Sequence, residues 1–174
     1  DHLATSTPFV PMLLCVAFMT IIERKAMGSM QRRIGPNVVG YYGVLQPFAD
    51  ALKLVVKEQI IPAQSNKALF FLAPMISLVF SLLGWATIPF GSGMAITDIS
   101  LGMLFSLAVS SIGVYGALFA GWAANSKYAF LGSLRSTAQM VSYELIFSTC
   151  VAAVILLAGS LNFTTIVEAQ GGGR

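Results

Sequence analysis

The stretch LATSTPFVPMLLCVAFMTII (residues 3–22) runs without a charge into Glu23-Arg24-Lys25, and a second basic patch, Gln31-Arg32-Arg33, follows within a few positions. The arrangement recurs downstream, with apolar segments near 69–89, 101–122 and 138–158 and almost every charge between them. A helix needs about 20 mostly apolar residues to cover the roughly 30 Å of hydrocarbon in a bilayer. The first segment meets that length barely, since Pro8 and Pro11 suggest an irregular first half; the other three meet it comfortably. The expected fold is all-α and transmembrane. It is a single membrane domain over 1–170 with four spans, at about 3–22, 69–89, 101–122 and 138–158.

Composition agrees. Hydrophobic residues make up 56% of the chain and charged ones 10%, too few charges for a water-soluble domain. The net charge of +3 sits beside the apolar segments rather than in a tail, so no nucleic-acid partner is expected. Cys15 and Cys150 each lie inside an apolar segment without a companion at ligand spacing, and read as small core residues rather than as metal ligands or a disulfide. His2 is the only histidine, which excludes a multi-histidine metal site within the chain. Asp1 at one end and Gly171-Gly172-Gly173-Arg174 at the other suggest a partly represented chain, with 171–174 a linker or an incompletely represented continuation.

Lysine and arginine counts give an orientation. Arg24, Lys25, Arg32, Arg33, Lys53, Lys57 and Lys67 lie between the first and second spans; Phe90–Ser100 has only Asp98; Lys127 and Arg135 lie between the third and fourth. The first and third loops are expected on the cytoplasmic side or its mitochondrial equivalent, the matrix. Within the first loop, Leu45, Phe48, Ala49, Leu52, Val55 and Val56 recur at helical spacing over 44–57. Gln46, Asp50, Lys53 and Lys57 lie opposite, and Pro47 falls in the first turn. This amphipathic helix is too short to cross and is expected along the membrane surface, although a helix that merely covers the bundle has the same pattern. In the third span, Gly102, Ser106, Ser110, Gly113, Ala117 and Gly121 share one face, where a neighbouring helix would approach closely.

The charges inside or beside the spans are the candidate functional groups. Glu144 lies about two turns into the fourth span, where an ionisable carboxyl costs on the order of 3 kcal/mol unless it faces protein, water or a partner. Tyr143 adds a hydroxyl beside it, and Ser148 lies one turn further in on its face. A group that takes up and releases protons is one reading of Glu144; a structural ion pair with Arg135 or another cation is the other. Glu23-Arg24-Lys25 reads either as internally paired or as an interface anchor, and Asp50 as a surface pair with Lys53. Gly35-Pro36-Asn37 and Gly40-Tyr41-Tyr42-Gly43 are turn chemistry. The sequence has no phosphate-binding loop, dinucleotide fingerprint or cysteine set for an iron–sulfur cluster, so any redox cofactors belong elsewhere.

The strings ERK (23–25), QRRIGPNVVG (31–40), GVLQPFADALKL (43–54), GWAANSKY (121–128) and LRSTAQMVSYE (134–144) resemble the chain 1 family of NADH:ubiquinone oxidoreductases, the membrane subunit at the heel of respiratory complex I. The resemblance covers about Phe18 to about Gln170 and is closer to mitochondrial than to bacterial versions. It implies a subunit of a respiratory-chain translocase in the mitochondrial inner membrane, or in a bacterial plasma membrane. Its partners would be other complex I subunits, the bilayer and ubiquinone, the last as substrate. NADH, FMN and the iron–sulfur clusters would bind to other subunits, and no active site would be complete in this chain alone. By carry-over, Arg24, Gln31, Arg33, Asp50 and Ala51 would line or support the quinone passage. Glu23, Arg135, Tyr143 and Glu144 would belong to the polar route that couples quinone reduction to proton translocation. The family's further spans and acid-rich loop are not in this sequence. The anchor subunit of a membrane-bound hydrogenase, or a small ion or solute transporter with Glu144 on its pathway, are the alternative readings.

Overall fold

Helices account for all the regular structure among the residues that the computed structural model describes, which are 2–91 and 94–171, with side chains from residue 8 onward. Six α-helices follow in order: α1 (His2–Met30), α2 (Gln46–Val56), α3 (Lys67–Leu83), α4 (Gly102–Ala123), α5 (Lys127–Ala158) and α6 (Phe163–Gln170). Most of the 171–174 tail and the ends Asp1 and Arg174 lie outside the described residues. The chain divides into two units, Asp1–Ile60 and Ile61–Arg174.

In the first unit, α1 continues through Pro8 and Pro11, so the irregular first half expected from those prolines is not found. It also continues past the charged triplet to Met30, because nothing in Glu23-Arg24-Lys25 breaks a helix. The break comes at Arg32. Arg33 N donates to Gly28 O at 2.9 Å and Arg32 N to Ser29 O at 3.1 Å, the two bonds of a Schellman C-cap. Arg32 itself holds φ at 55°, the left-handed position that glycine usually fills. The chain then turns back against α1. A Cβ on Gly35 would lie 3.0 Å from Lys25 Cα, and one on Gly43, at φ 76°, would overlap the Pro36 carbonyl. A 3₁₀ turn at Tyr41–Gly43 leads into α2, which has its proline in the first turn and lies within two residues of the expected limits at each end.

In the second unit, Asn66 caps α3 by accepting from Leu69 N at 3.4 Å. Asn66 N donates to Ala123 O at 3.1 Å, tying the start of α3 to the end of α4. Helix α4 packs against α3 on one side and α5 on the other. A Cβ on Gly116 would overlap Ser77 Oγ and lie 3.1 Å from the Ala73 carbonyl oxygen, while one on Gly121 would overlap Ser133 Oγ. Gly121 and Gly102 of the small-residue stripe are buried; Gly116, just off the stripe, makes the close approach to α3. Only residues 124–126 separate α4 from α5. They turn at Asn125, whose φ is 51° and whose side-chain amide donates to Gln64 O at 3.1 Å. Lys127 and Arg135, expected in a loop, are therefore helical. Only Gly132 between them disfavours a helix, and a lone glycine costs about 1 kcal/mol, too little to stop α5 from beginning early. Helix α6 starts at the Asn162 cap, which accepts from Thr164 N at 2.8 Å, and packs Ile166 against Met103 and Val151.

Among the described residues two helices, α4 and α5, are long and apolar enough to cross a membrane, and α3, at 17 residues, is a shorter apolar helix. Only 17% of the apolar window of α4 and 6% of that of α5 is buried, so most of the surface of both helices faces away from the rest of this chain. Leu156 and Leu157 of α5 are 83% and 90% exposed, and Cys15 and Cys150, expected in a core, are free and exposed. The core is small because the apolar residues lie all round these helices rather than on one stripe. Such helices cover their surface with lipid or with other helices.

Candidate functional site

Helix α2 docks on α1 through two contacts. The Phe18 and Phe48 rings meet edge to face at 5.9 Å between centroids. Arg24 Nη1 lies 2.6 Å from Asp50 Oδ2, and the other Asp50 oxygen accepts from Gln46 Nε2 at 3.0 Å. Both Asp50 oxygens are thus engaged, and Asp50 pairs with Arg24 rather than with Lys53. Gln46 and Asp50 lie one turn apart on α2, on the edge that faces α1, while Lys53 is exposed. Lys25 Nζ donates to the Tyr42 carbonyl oxygen and stands 5.9 Å from the centre of the Tyr42 ring. The cations of the mixed triplet therefore find partners in the chain that returns along α1. Glu23 is exposed and does not pair with its neighbours Arg24 and Lys25.

Among the other residues assigned to the quinone passage, Arg33 Nε donates to Gln31 Oε1 at 2.8 Å, directly after the α1 cap. Ala51 is exposed on α2. Arg24, Asp50 and Gln46 form one cluster of this unit, and Gln31 and Arg33 a second. Sequence reasoning placed Gln46 on the polar face of α2 but did not assign it to the site.

In the second unit, α3, α4 and α5 border an open groove of about 490 Å³. Glu144 and Tyr143 line it from α5, Ser110 and Gly113 from α4, and Ser77 and Ser81 from α3. Glu144 is half-buried, and its Oε2 accepts from Ser111 Oγ of α4 at 3.4 Å. Because α5 starts at Lys127, Glu144 lies about 25 Å along a helix about 48 Å long, near its middle, rather than two turns from an end. Ser148, expected to share the face of Glu144, donates to its main-chain oxygen at 2.7 Å instead of to its carboxyl. The ion pair with Arg135 is not formed. Nine residues of helix separate the two by about 14 Å and half a turn, and Arg135 is exposed. Ser111, Ser77 and Ser81 were not singled out from sequence. The tandem Ser110-Ser111 carries no signal of its own until α4 and α5 are set in register.

The family profile described as NADH dehydrogenase matches residues 4–173. The chain belongs to that family. It is 75% identical over 161 residues to NADH-ubiquinone oxidoreductase chain 1 of Mycosarcoma maydis, covering 92% of this chain and 49% of that relative. It is 63% identical to the protein of the same name from Podospora anserina, over 92% of this chain and 44% of the relative. A bacterial relative, a subunit of the NADH-quinone oxidoreductase of Rickettsia canadensis, is 55% identical over the same share of this chain and 48% of its own length. The chain thus spans about half the length of the curated relatives it matches. Among the described residues, no group of three or more His, Cys, Asp or Glu side chains is placed to hold a metal ion.

Proposed function

We propose that this chain forms part of the membrane subunit of a proton-pumping NADH:ubiquinone oxidoreductase. In this reading it helps to build the quinone chamber and contributes to the polar route that couples quinone reduction to proton translocation. The observation that carries it is the placement of Glu144. It is the one acidic residue of α4 and α5, and it borders a largely apolar groove that also carries the hydroxyls of Ser77, Ser81, Ser110 and Tyr143. A carboxyl in such surroundings is weakly screened and responds strongly when charge arrives nearby.

On this reading α1, α3, α4 and α5 are the four spans, with the basic segment 24–67 and the 124–126 turn on the matrix or cytoplasmic side. Helix α2 lies at the membrane surface, with Leu52, Val55 and Val56 exposed toward lipid. Arg24 and Asp50, with Gln31, Arg33 and Ala51, serve the quinone passage, where a fixed, charge-compensated wall orients a polar headgroup. Glu23, Arg135, Tyr143 and Glu144 serve the polar route. Other subunits bind NADH, FMN and the iron–sulfur clusters, and the assembly resides in the mitochondrial inner membrane.

The test is Glu144→Gln in the assembled enzyme. The variant keeps shape and hydrogen bonding but cannot exchange a proton. Quinone-coupled turnover or pumping is expected to fall, by on the order of 100-fold if proton transfer is limiting. NADH oxidation by an artificial acceptor is expected to stay at the parent rate. Normal pumping in this variant removes Glu144 from the mechanism.

A further inference from the structure

The hydroxyl of Ser111 has two acceptors and one proton. Its Oγ lies 3.0 Å from the Leu107 carbonyl oxygen, one turn back in α4, and 3.4 Å from Glu144 Oε2 on α5. A serine hydroxyl donates once and accepts twice, so these two bonds cannot both be made at full strength. Which one is made depends on the state of the carboxyl.

We propose that Ser111 is a positioning residue for Glu144, a hydroxyl that changes partner as the carboxyl gains or loses its proton and keeps the carboxyl against α4 in both states. When Glu144 is ionised, the Ser111 proton points to the carboxylate, and the Leu107 carbonyl keeps its helical N–H. When Glu144 is protonated, its O–H donates to Ser111 Oγ, and the Ser111 proton swings to the Leu107 carbonyl. No proton is gained or lost by Ser111 in the exchange, and each state leaves every donor paired. The alternative for an ionised carboxyl at mid-helix is to be left without a donor from the protein, which is costly where water is scarce. The Gly121 and Ser133 approach holds α4 and α5 close toward one end, and the Met103 and Val151 cluster holds them toward the other. The Ser111 and Glu144 contact lies between, at a separation that both anchors fix.

This inference rests on the proton-route reading of Glu144, and the experiment separates the two. Redox-induced infrared difference spectra of the assembled enzyme are recorded for the parent, Glu144→Gln, Ser111→Ala and Ser111→Thr. A carboxyl C=O band lost in Glu144→Gln belongs to Glu144. Ser111→Ala is expected to move that band to higher wavenumber, because the carboxyl loses its hydrogen-bonded partner, and to lower quinone-coupled turnover several-fold without changing artificial-acceptor activity. Ser111→Thr keeps the hydroxyl and is expected to leave the band within the parent's width. A Glu144 band that stays put in Ser111→Ala overturns the role of Ser111 while leaving that of Glu144 intact. A parent spectrum with no band sensitive to Glu144→Gln overturns both.

Discussion

Arg24 of α1 and Asp50 of α2, 26 positions apart in sequence, meet at 2.6 Å in the one salt bridge found among the described residues. Their side chains are 48% and 40% exposed, so the pair itself contributes about 0.2–1 kcal/mol to stability. Its larger effect is on geometry, since it fixes the angle at which α2 leaves the turn. Arg24→Gln and Asp50→Asn are each expected to lower quinone turnover several-fold with little loss of thermal stability, and the double variant no more than either. Fully additive losses in the kinetic cycle would mean that the two act separately.

Arg32 caps α1 from the left-handed region, where a side chain costs about 1–2 kcal/mol relative to glycine. Arg32→Gly is expected to stabilise the first unit by about 0.5–1 kcal/mol, once the greater freedom of glycine in the unfolded chain is subtracted. Amide hydrogen exchange at the end of α1 reads this directly. Faster exchange in the variant would show that the arginine side chain contributes more than its backbone strain costs.

Leu52 is 68% exposed on α2. In water, replacing a residue this exposed changes stability by no more than about 0.5 kcal/mol. Against lipid the same change places a charge in the apolar boundary. Leu52→Asp is therefore expected to reduce assembly or raise the quinone KM, and Lys53→Gln to do neither. Equal, near-parent behaviour of the two variants would take α2 off the membrane surface.

Gly116 sets the distance between α3 and α4. Gly116→Val is expected to cost about 1–3 kcal/mol, as overpacking does, and to lower the thermal midpoint of the assembled protein. Adding Ser77→Ala removes the nearest clashing atom and is expected to restore part of the loss, leaving the share due to the Ala73 carbonyl. A Gly116→Val protein as stable as the parent would mean that the two backbones are not in contact.

Much of this was readable along the chain. Apolar segments mark α4, which is uncharged, and α5, whose 138–158 stretch has Glu144 as its one charge, and Pro47 with its amphipathic spacing marks α2 within two residues. The early start of α5 is not legible because Lys127 and Arg135 look like loop charges, whereas a helix stops for a strong breaker or a cap and not for a charge. Helix α6 was missed although Asn162 before Phe163 is a capping signal; the segment is short, and its apolar run gave no separate period. The contacts of the site were not readable at all. Arg24 with Asp50 and Ser111 with Glu144 depend on how one helix is rotated against another, and no local pattern encodes that. Glu144 with Arg135 fails for a reason that counting alone supplies, since nine residues place two side chains on opposite sides of a helix.

That last relationship has a mechanical side. A straight rod that carries a cation on one flank and an acid on the other, at different heights, cannot bring both to the same neighbour. Any roll of α5 about its own axis that presses Glu144 toward α4 swings Arg135 away on the far flank, like the two ends of a rocker. On the proposed polar route, charge passing between them would have to travel through intermediaries, on water or on other polypeptides.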